Sequence, residues 1–309
     1  MLFLYPDSVK IKIAKKDYYE GVSLFIIDRV FRYENKITEE DWGLFETFFK
    51  NLVEPNLKDI IIGEPEKLRK INQLISPFLQ FSNIFLEGIK DIFKYNLFIN
   101  KANTRYDAYQ LAEALDIRTC PYCNRNYTST VITKKGEKIT RPQFDHYFDK
   151  ADNPLLALSF YNLIPSCSVC NSSVKGAAKF DLSSHLHPYL DDSVDKIRFT
   201  YKYSNQTKSG LEVIVKTKEL SKEKKTVKEF AVEEIYNSHT GELLELLRTR
   251  QYFSEKYLEI LKTNLLRGVI VSQEDLYRIA FGVELNPENF INRPFSKFKK
   301  DILTELGVV

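Results

Sequence analysis

Four cysteines, one Asp-His pair and one asparagine are the residues of this sequence whose types and spacing could do chemistry. Cys120-Pro-Tyr-Cys123 and Cys167-Ser-Val-Cys170 form two C-x-x-C pairs and use every cysteine in the chain. Brought together, such pairs supply four soft ligands in the tetrahedral arrangement that structural Zn²⁺ takes. The alternative, two disulfides, needs an oxidising compartment. No secretory signal is visible, because Met1-Leu-Phe-Leu-Tyr-Pro6 is apolar but short, with no basic segment and no small-residue cleavage site. Zinc thiolates in a cytosolic protein are the expectation.

Between the pairs stand Asp145-His146, and directly after the last cysteine comes Asn171. A zinc clip would bring residues 145–146 close to residue 171. The Asp carboxylate and the Asn amide oxygen are hard donors that suit Mg²⁺ or Mn²⁺, ions that keep several waters and need few protein ligands. A neutral imidazole beside such an ion can take a proton from an attacking water. Together these are the parts for one-metal hydrolysis of a phosphodiester. Taken alone, a histidine among Phe144, Tyr147 and Phe148 reads equally as a partly buried hydrogen-bonder.

Asp145-His146, Asn162-Leu-Ile-Pro165 and Cys167-x-x-Cys170-Asn171-x-x-x-Lys175-Gly176 resemble the zinc-containing HNH (His-Me finger) endonucleases, over residues 117–180. The resemblance implies a DNA endonuclease with His146 as general base and Asp145 as a metal ligand. Asn162 would position the base through the loop backbone. Asn171 would be the last motif position, where many members carry His. Asp149 stands where the family often has Pro, and it is kept out of the metal site. The Cys120–Arg125 run, Asn162–Cys167 and His187-Pro-Tyr189 are further similar to the HNH nucleases of Septu-type and retron-associated antiphage systems, which implies an ATPase partner.

The net charge of +3 is too small for a general polyanion binder, so nucleic-acid contacts must come from local clustering. Residues 117–180 hold nine Lys+Arg against four acids. Among these, Arg125, Lys150, Lys175 and Lys179 are candidate phosphate contacts, and each singly also reads as a solvated cation. His187 has two readings, a second contact over the cleft or a structural cap, and the structural one is the plainer.

The elements that must position these residues read as α+β: a mainly helical scaffold with a central ββα-metal (HNH) module stapled by the four-Cys zinc site. Residues 1–116 are expected to be a helical scaffold or docking region, 117–190 the nuclease module, and 191–309 a β-hairpin plus helices. Val9–Ala14 alternates as a short strand would. Thr38 before Glu39, Glu40 and Asp41 predicts a helix start, and Phe85, Ile89, Ile92 and Phe93 one buried face. Tyr127–Thr133 and Lys138–Phe144 read as a hairpin ending at Asp145-His146. Lys196–Lys202 and Leu211–Thr217 read as a second hairpin, 242–266 as a long amphipathic helix, and Ser272 as a helix start. No apolar run reaches the ~20 residues that span a bilayer.

Overall fold

Helices fill the chain before the first cysteine in the computed structural model, which describes residues 1–100, 106–252, 255–260, 263 and 272–308. α1 (Val9–Glu34) starts where the Ser8 side chain accepts the Ile11 N–H, and it buries Ile11, Ala14, Tyr18, Val22, Phe25 and Ile26. The strand expected at Val9–Ala14 is therefore corrected to the first turns of a helix. Its short alternation is overridden by the three- and four-residue apolar spacing that continues to Tyr33. Thr38 caps α2 (Glu39–Phe48) by accepting from the Asp41 N–H, as expected. Then come α3 (Leu57–Ile62), α4 (Pro65–Phe81), α5 (Asn83–Ile92) and α6 (Tyr95–Ile99). α7 (Ala108–Leu115) opens on a capping box between Asp107 and Gln110. Of the face expected around α5, Ile89, Ile92 and Phe93 are buried, while Phe85 is half-buried and stacks on Phe48 at 4.3 Å.

The central segment holds two antiparallel strand pairs. β1 (Val131–Ile132) pairs with β2 (Lys138–Thr140), and β3 (Gln143–His146) pairs with β4 (Leu163–Ser166). The hairpin expected from Tyr127 to Phe144 is thus shorter, and the strand carrying Asp145-His146 belongs to a separate pair. Pro142 stands at the break, where a residue without an N–H cannot extend a ladder. Asp145 lies opposite Ile164 and His146 opposite Leu163. A π-helical turn, Val169–Lys175, follows β4 and carries Asn171.

Beyond it, β5 (Arg198–Tyr203) and β6 (Leu211–Lys216) form the expected second hairpin. α8 (Lys222–Glu229), α9 (Val232–Asn237), α10 (Thr240–Tyr252), α11 (Glu255–Ile260), α12 (Gln273–Phe281) and α13 (Ser296–Glu305) complete the chain. Leu243 and Leu246 are buried on α10, whereas Ile260 is exposed. Residues 261, 262 and 264–266, the expected end of that helix, lie outside the described residues. Ser272 caps α12 by accepting from the Asp275 N–H. Helices dominate this α+β chain, and one hydrophobic core includes Tyr18, Ile60, Leu111, Tyr122, Tyr147, Leu163, Val213 and Phe298. All three segments therefore share one interior. Among the described residues, no helix is long and apolar enough to cross a membrane.

Candidate functional site

The first C-x-x-C pair is a tight turn. Cys120 accepts the Asn124 N–H at 2.7 Å through its carbonyl, and its own N–H donates to Asn126 O at 3.0 Å. Asn124 takes a left-handed conformation with φ 46°, which asparagine tolerates, and its buried Nδ2 donates to Thr119 Oγ1 and Phe290 O. The second pair forms at the start of the π-helical turn, where the Asn171 N–H donates to Cys167 O at 3.0 Å. All four sulfur atoms lie within 4.8 Å of one another and all four cysteines are buried. Cys123 and Cys167 Sγ stand 4.0 Å apart, far beyond the ~2.0 Å of a disulfide and near the ~3.8 Å edge of a tetrahedron with ~2.3 Å Zn–S bonds. The donors around Cys167 suit a thiolate, since the Cys170 N–H lies 3.4 Å and Asn126 Nδ2 3.3 Å from its sulfur. Hydrogen bonds from the other cysteines, Cys120 first, pull the Cys167 thiol down, while burial pushes Cys120 up. This is a buried four-cysteine cluster able to bind a metal ion such as zinc.

Tyr122, inside the first pair, ties that cluster to the Asp-His strand. Its hydroxyl donates to Asp145 Oδ2 at 2.7 Å, and both groups are buried. The other carboxylate oxygen, Oδ1, accepts from Lys175 Nζ at 2.8 Å, and the same ammonium donates to His146 O at 2.7 Å. Lys175 can fold back because the turn ends at Gly176, whose N–H closes an i→i+5 bond to Asn171 O at 3.1 Å. Gly176 has φ 50° and ψ −121°, a conformation open to glycine alone. Asp145, His146 and Asn171 line one open cleft of about 370 Å³ together with Tyr95, Arg141, Gln143 and Lys150. Asn171 is turned by its Nδ2, which donates to Gln143 Oε1 at 2.8 Å, so its Oδ1 remains a potential ligand.

His146 is fixed through the connection between β3 and β4. Its Nε2 lies 3.0 Å from Ala157 O, and since a carbonyl only accepts, Nε2 carries the proton there and Nδ1 carries the lone pair. Its ring meets Tyr95 edge to face at 4.5 Å. Burial pushes its pKa down to about 4, and Lys150 and Lys175 act in the same direction. The imidazole is therefore neutral around pH 7. Asn162 holds the connection: its Oδ1 accepts the Phe148 N–H at 2.7 Å, and its Nδ2 donates to Phe148 O and to Leu156 O, next to Ala157. The helical region grips the same loop. Tyr18 Oη donates to Leu158 O at 2.9 Å, Ser159 Oγ donates to Ile60 O, and Asn72 Nδ2 donates to Asn153 Oδ1. The scaffold thus orients the imidazole at second hand.

No protein family, curated protein or solved structure matches this chain. What the site can do is read from its own geometry.

The expected phosphate contacts scatter. Lys150 lines the cleft, with its ammonium 5.7 Å from the Tyr95 ring centroid. Lys175 does not face solvent as expected, being held inside by Asp145. Lys179 is exposed and paired with Asp152. Arg125 turns away to His239 Nε2 at 3.0 Å. His187 is fully buried against the Tyr147 ring at 4.4 Å and its Nδ1 accepts the Tyr189 N–H, so it is a structural residue and not a cleft contact. Asp149 lines the cleft, but one of its oxygens caps the Ala151 and Asp152 N–H groups. Sequence reasoning missed Tyr122, Gln143 and Tyr95. Tyr122 alone had a signal, its place inside the cysteine turn.

Proposed function

We propose that this chain is a metal-dependent endonuclease of the HNH type that hydrolyses DNA phosphodiester bonds. The observation that carries the proposal is that Asp145, His146 and Asn171 line one cleft while His146 Nε2 is tied to Ala157 O, which reserves Nδ1 as a base. In this reading the cysteines hold zinc for shape. Asp145 and Asn171 hold Mg²⁺ or Mn²⁺. The donor set fits such an ion: each Asp145 oxygen accepts one bond and keeps a second lone pair, and Asn171 Oδ1 is free of its own amide contact. The ammonium of Lys175 already balances Asp145, so the ion would bind where Lys175 shares or yields its place. When bound, the ion neutralises the phosphate and stabilises the departing oxyanion.

The chain's own residues do the rest. His146 Nδ1 takes a proton from the attacking water as its oxygen bonds to phosphorus and the P–O bond to the leaving group breaks. Asn162 keeps the loop, and through Ala157 the ring, in register. Lys150 offers a cation at the cleft wall. The resemblance extends the proposal to a nuclease effector of a bacterial antiphage system beside an ATPase. Co-purification from the native operon tests that extension, and an isolated chain as active as any complex argues against it. The activity itself is tested by nicking of supercoiled plasmid with and without added Mg²⁺ or Mn²⁺. Divalent-dependent nicking that Asp145→Ala abolishes supports the proposal. No cleavage under any divalent condition favours the second reading, a zinc-stapled adaptor, in which Asp145 serves only to pair Lys175 and Tyr122.

A further inference from the structure

We infer that Arg141 anchors the phosphate of a single nucleic-acid strand that leaves the cleft along an adjoining groove, with Tyr127 stacking on one of its bases. A second groove, of about 660 Å³, lies beside the cleft and shares Arg141 and Gln143 with it as common wall. Apart from Arg141 and Cys167 of the cysteine cluster its lining is uncharged and rich in donors, with Asn126, Thr128, Ser129, Thr140 and Ser168 among its residues. Neutral hydroxyls and amides along a groove give a phosphate chain contacts without demanding a base sequence.

Lys150 and Arg141 both line the cleft, and of these two Arg141 alone also lines the second groove. Several other cations of the segment are paired: Arg118 with Asp116, Lys138 with Asp107, Lys175 with Asp145 and Lys179 with Asp152. Among the described residues Arg141 has no carboxylate partner. Its Nη1 donates only to the neighbouring Pro142 O at 2.7 Å, and its buried Nε has no acceptor. The Tyr109 and Phe144 rings hold the guanidinium at 5.6 and 5.8 Å from their centroids. A fork fixed by two rings, with donors unspent, matches the bidentate geometry of a phosphate. Tyr127, 67% exposed, lines the second groove and not the cleft. Every base offers a π-face to such a ring, so stacking there is tolerant of sequence.

This inference rests on the nuclease reading for its substrate class, but its test is a binding measurement that does not need cleavage. Zinc-loaded protein carrying His146→Ala is titrated against fluorescein-labelled single-stranded DNA, single-stranded RNA and duplex DNA, without added divalent ion, by anisotropy. The account expects single strands of DNA, RNA or both to bind. Arg141→Ala should weaken binding about tenfold and reduce the slope of log K against log salt by about 0.7, one phosphate contact. Arg141→Lys should restore the slope but not the full affinity. Tyr127→Ala should weaken binding roughly tenfold with the slope unchanged. Lys179→Ala should bind as the parent, and all variants should keep the parent's zinc content. Equal affinity of Arg141→Ala, Tyr127→Ala and parent overturns the inference, as does a parent that binds duplex alone or nothing. Plasmid nicking that survives in Arg141→Ala with unchanged binding would sink the strand track and leave the nuclease standing. Lost binding in Arg141→Ala beside undiminished cleavage by His146→Ala would do the reverse.

Discussion

The cysteine cluster gathers four sulfur atoms within 4.8 Å in a closed interior, whereas the cleft beside it is open and keeps its carboxylate satisfied with an internal ammonium. Tyr122 connects the two, with its backbone between the cysteines and its hydroxyl on Asp145. One site is made complete by a single kind of ligand. The other is internally balanced, and it can take a divalent ion at Asp145 only where Lys175 shares or yields its place. The two differ in access and in donor set: the cysteines are buried together, while the cleft is open and lined by mixed polar groups.

Breaking the first site should cost most. In the zinc reading, prolonged chelation removes a whole-site binding energy on the order of 10 kcal/mol, and Cys167→Ser removes a large part of it. Loss of soluble folded protein, read by metal analysis and circular dichroism, is expected. A soluble variant with full zinc content would contradict a four-cysteine site. Breaking the second site should cost less. Lys175→Met leaves a buried carboxylate with its tyrosine alone, and about 3–5 kcal/mol of stability should be lost in denaturant unfolding. Adding Asp145→Asn should return much of that loss, because the uncompensated charge is gone. Equal stability of Lys175→Met and parent would show that the pair is not internal.

The smallest effect concerns His187, buried against the Tyr147 ring. Burial, with Lys222 adding to it, pushes the pKa of His187 down to about 3. The unfolded chain takes up that proton near pH 6.5, so between about 6.5 and 3 the unfolded state binds more protons. Stability from this residue is present above pH 6.5 and drains away as pH falls, by about 2 kcal/mol at pH 5. Comparing unfolding of parent and His187→Gln across that range should show the difference between them shrinking toward acid. A difference constant with pH would place His187 in contact with water.

Much of the site was legible because its signals are local or depend on one constraint. The cysteine spacing announces the cluster, and once the clip is assumed, Asp145 and Asn171 must approach. The role of Lys175 was not legible. Its burial follows from the π-helical i→i+5 closure at Gly176, and nothing in Asn171-Ser-Ser-Val-Lys175 distinguishes that turn from an ordinary helix with an outward lysine. The same holds for Arg141, whose lack of a carboxylate partner among the described residues is a property of the whole surface. In the fold, caps such as Thr38 and Ser272 were readable because they act over three residues. Val9–Ala14 misled because six residues fit either period, and only the face running on to Tyr33 decides for helix. The pairing of β3 with β4 is a long-range choice, and a strand run broken at Pro142 does not say which partner comes next.

The central claim is that His146 is the base of a divalent-dependent nuclease. It is tested most directly by plasmid nicking with matched preparations of parent and His146→Ala, at equal zinc content and equal thermal stability. The account predicts Mg²⁺- or Mn²⁺-dependent cleavage by the parent and a loss of about 10²–10⁴-fold in the variant, the range for removing a general base. Undiminished cleavage by His146→Ala would contradict it.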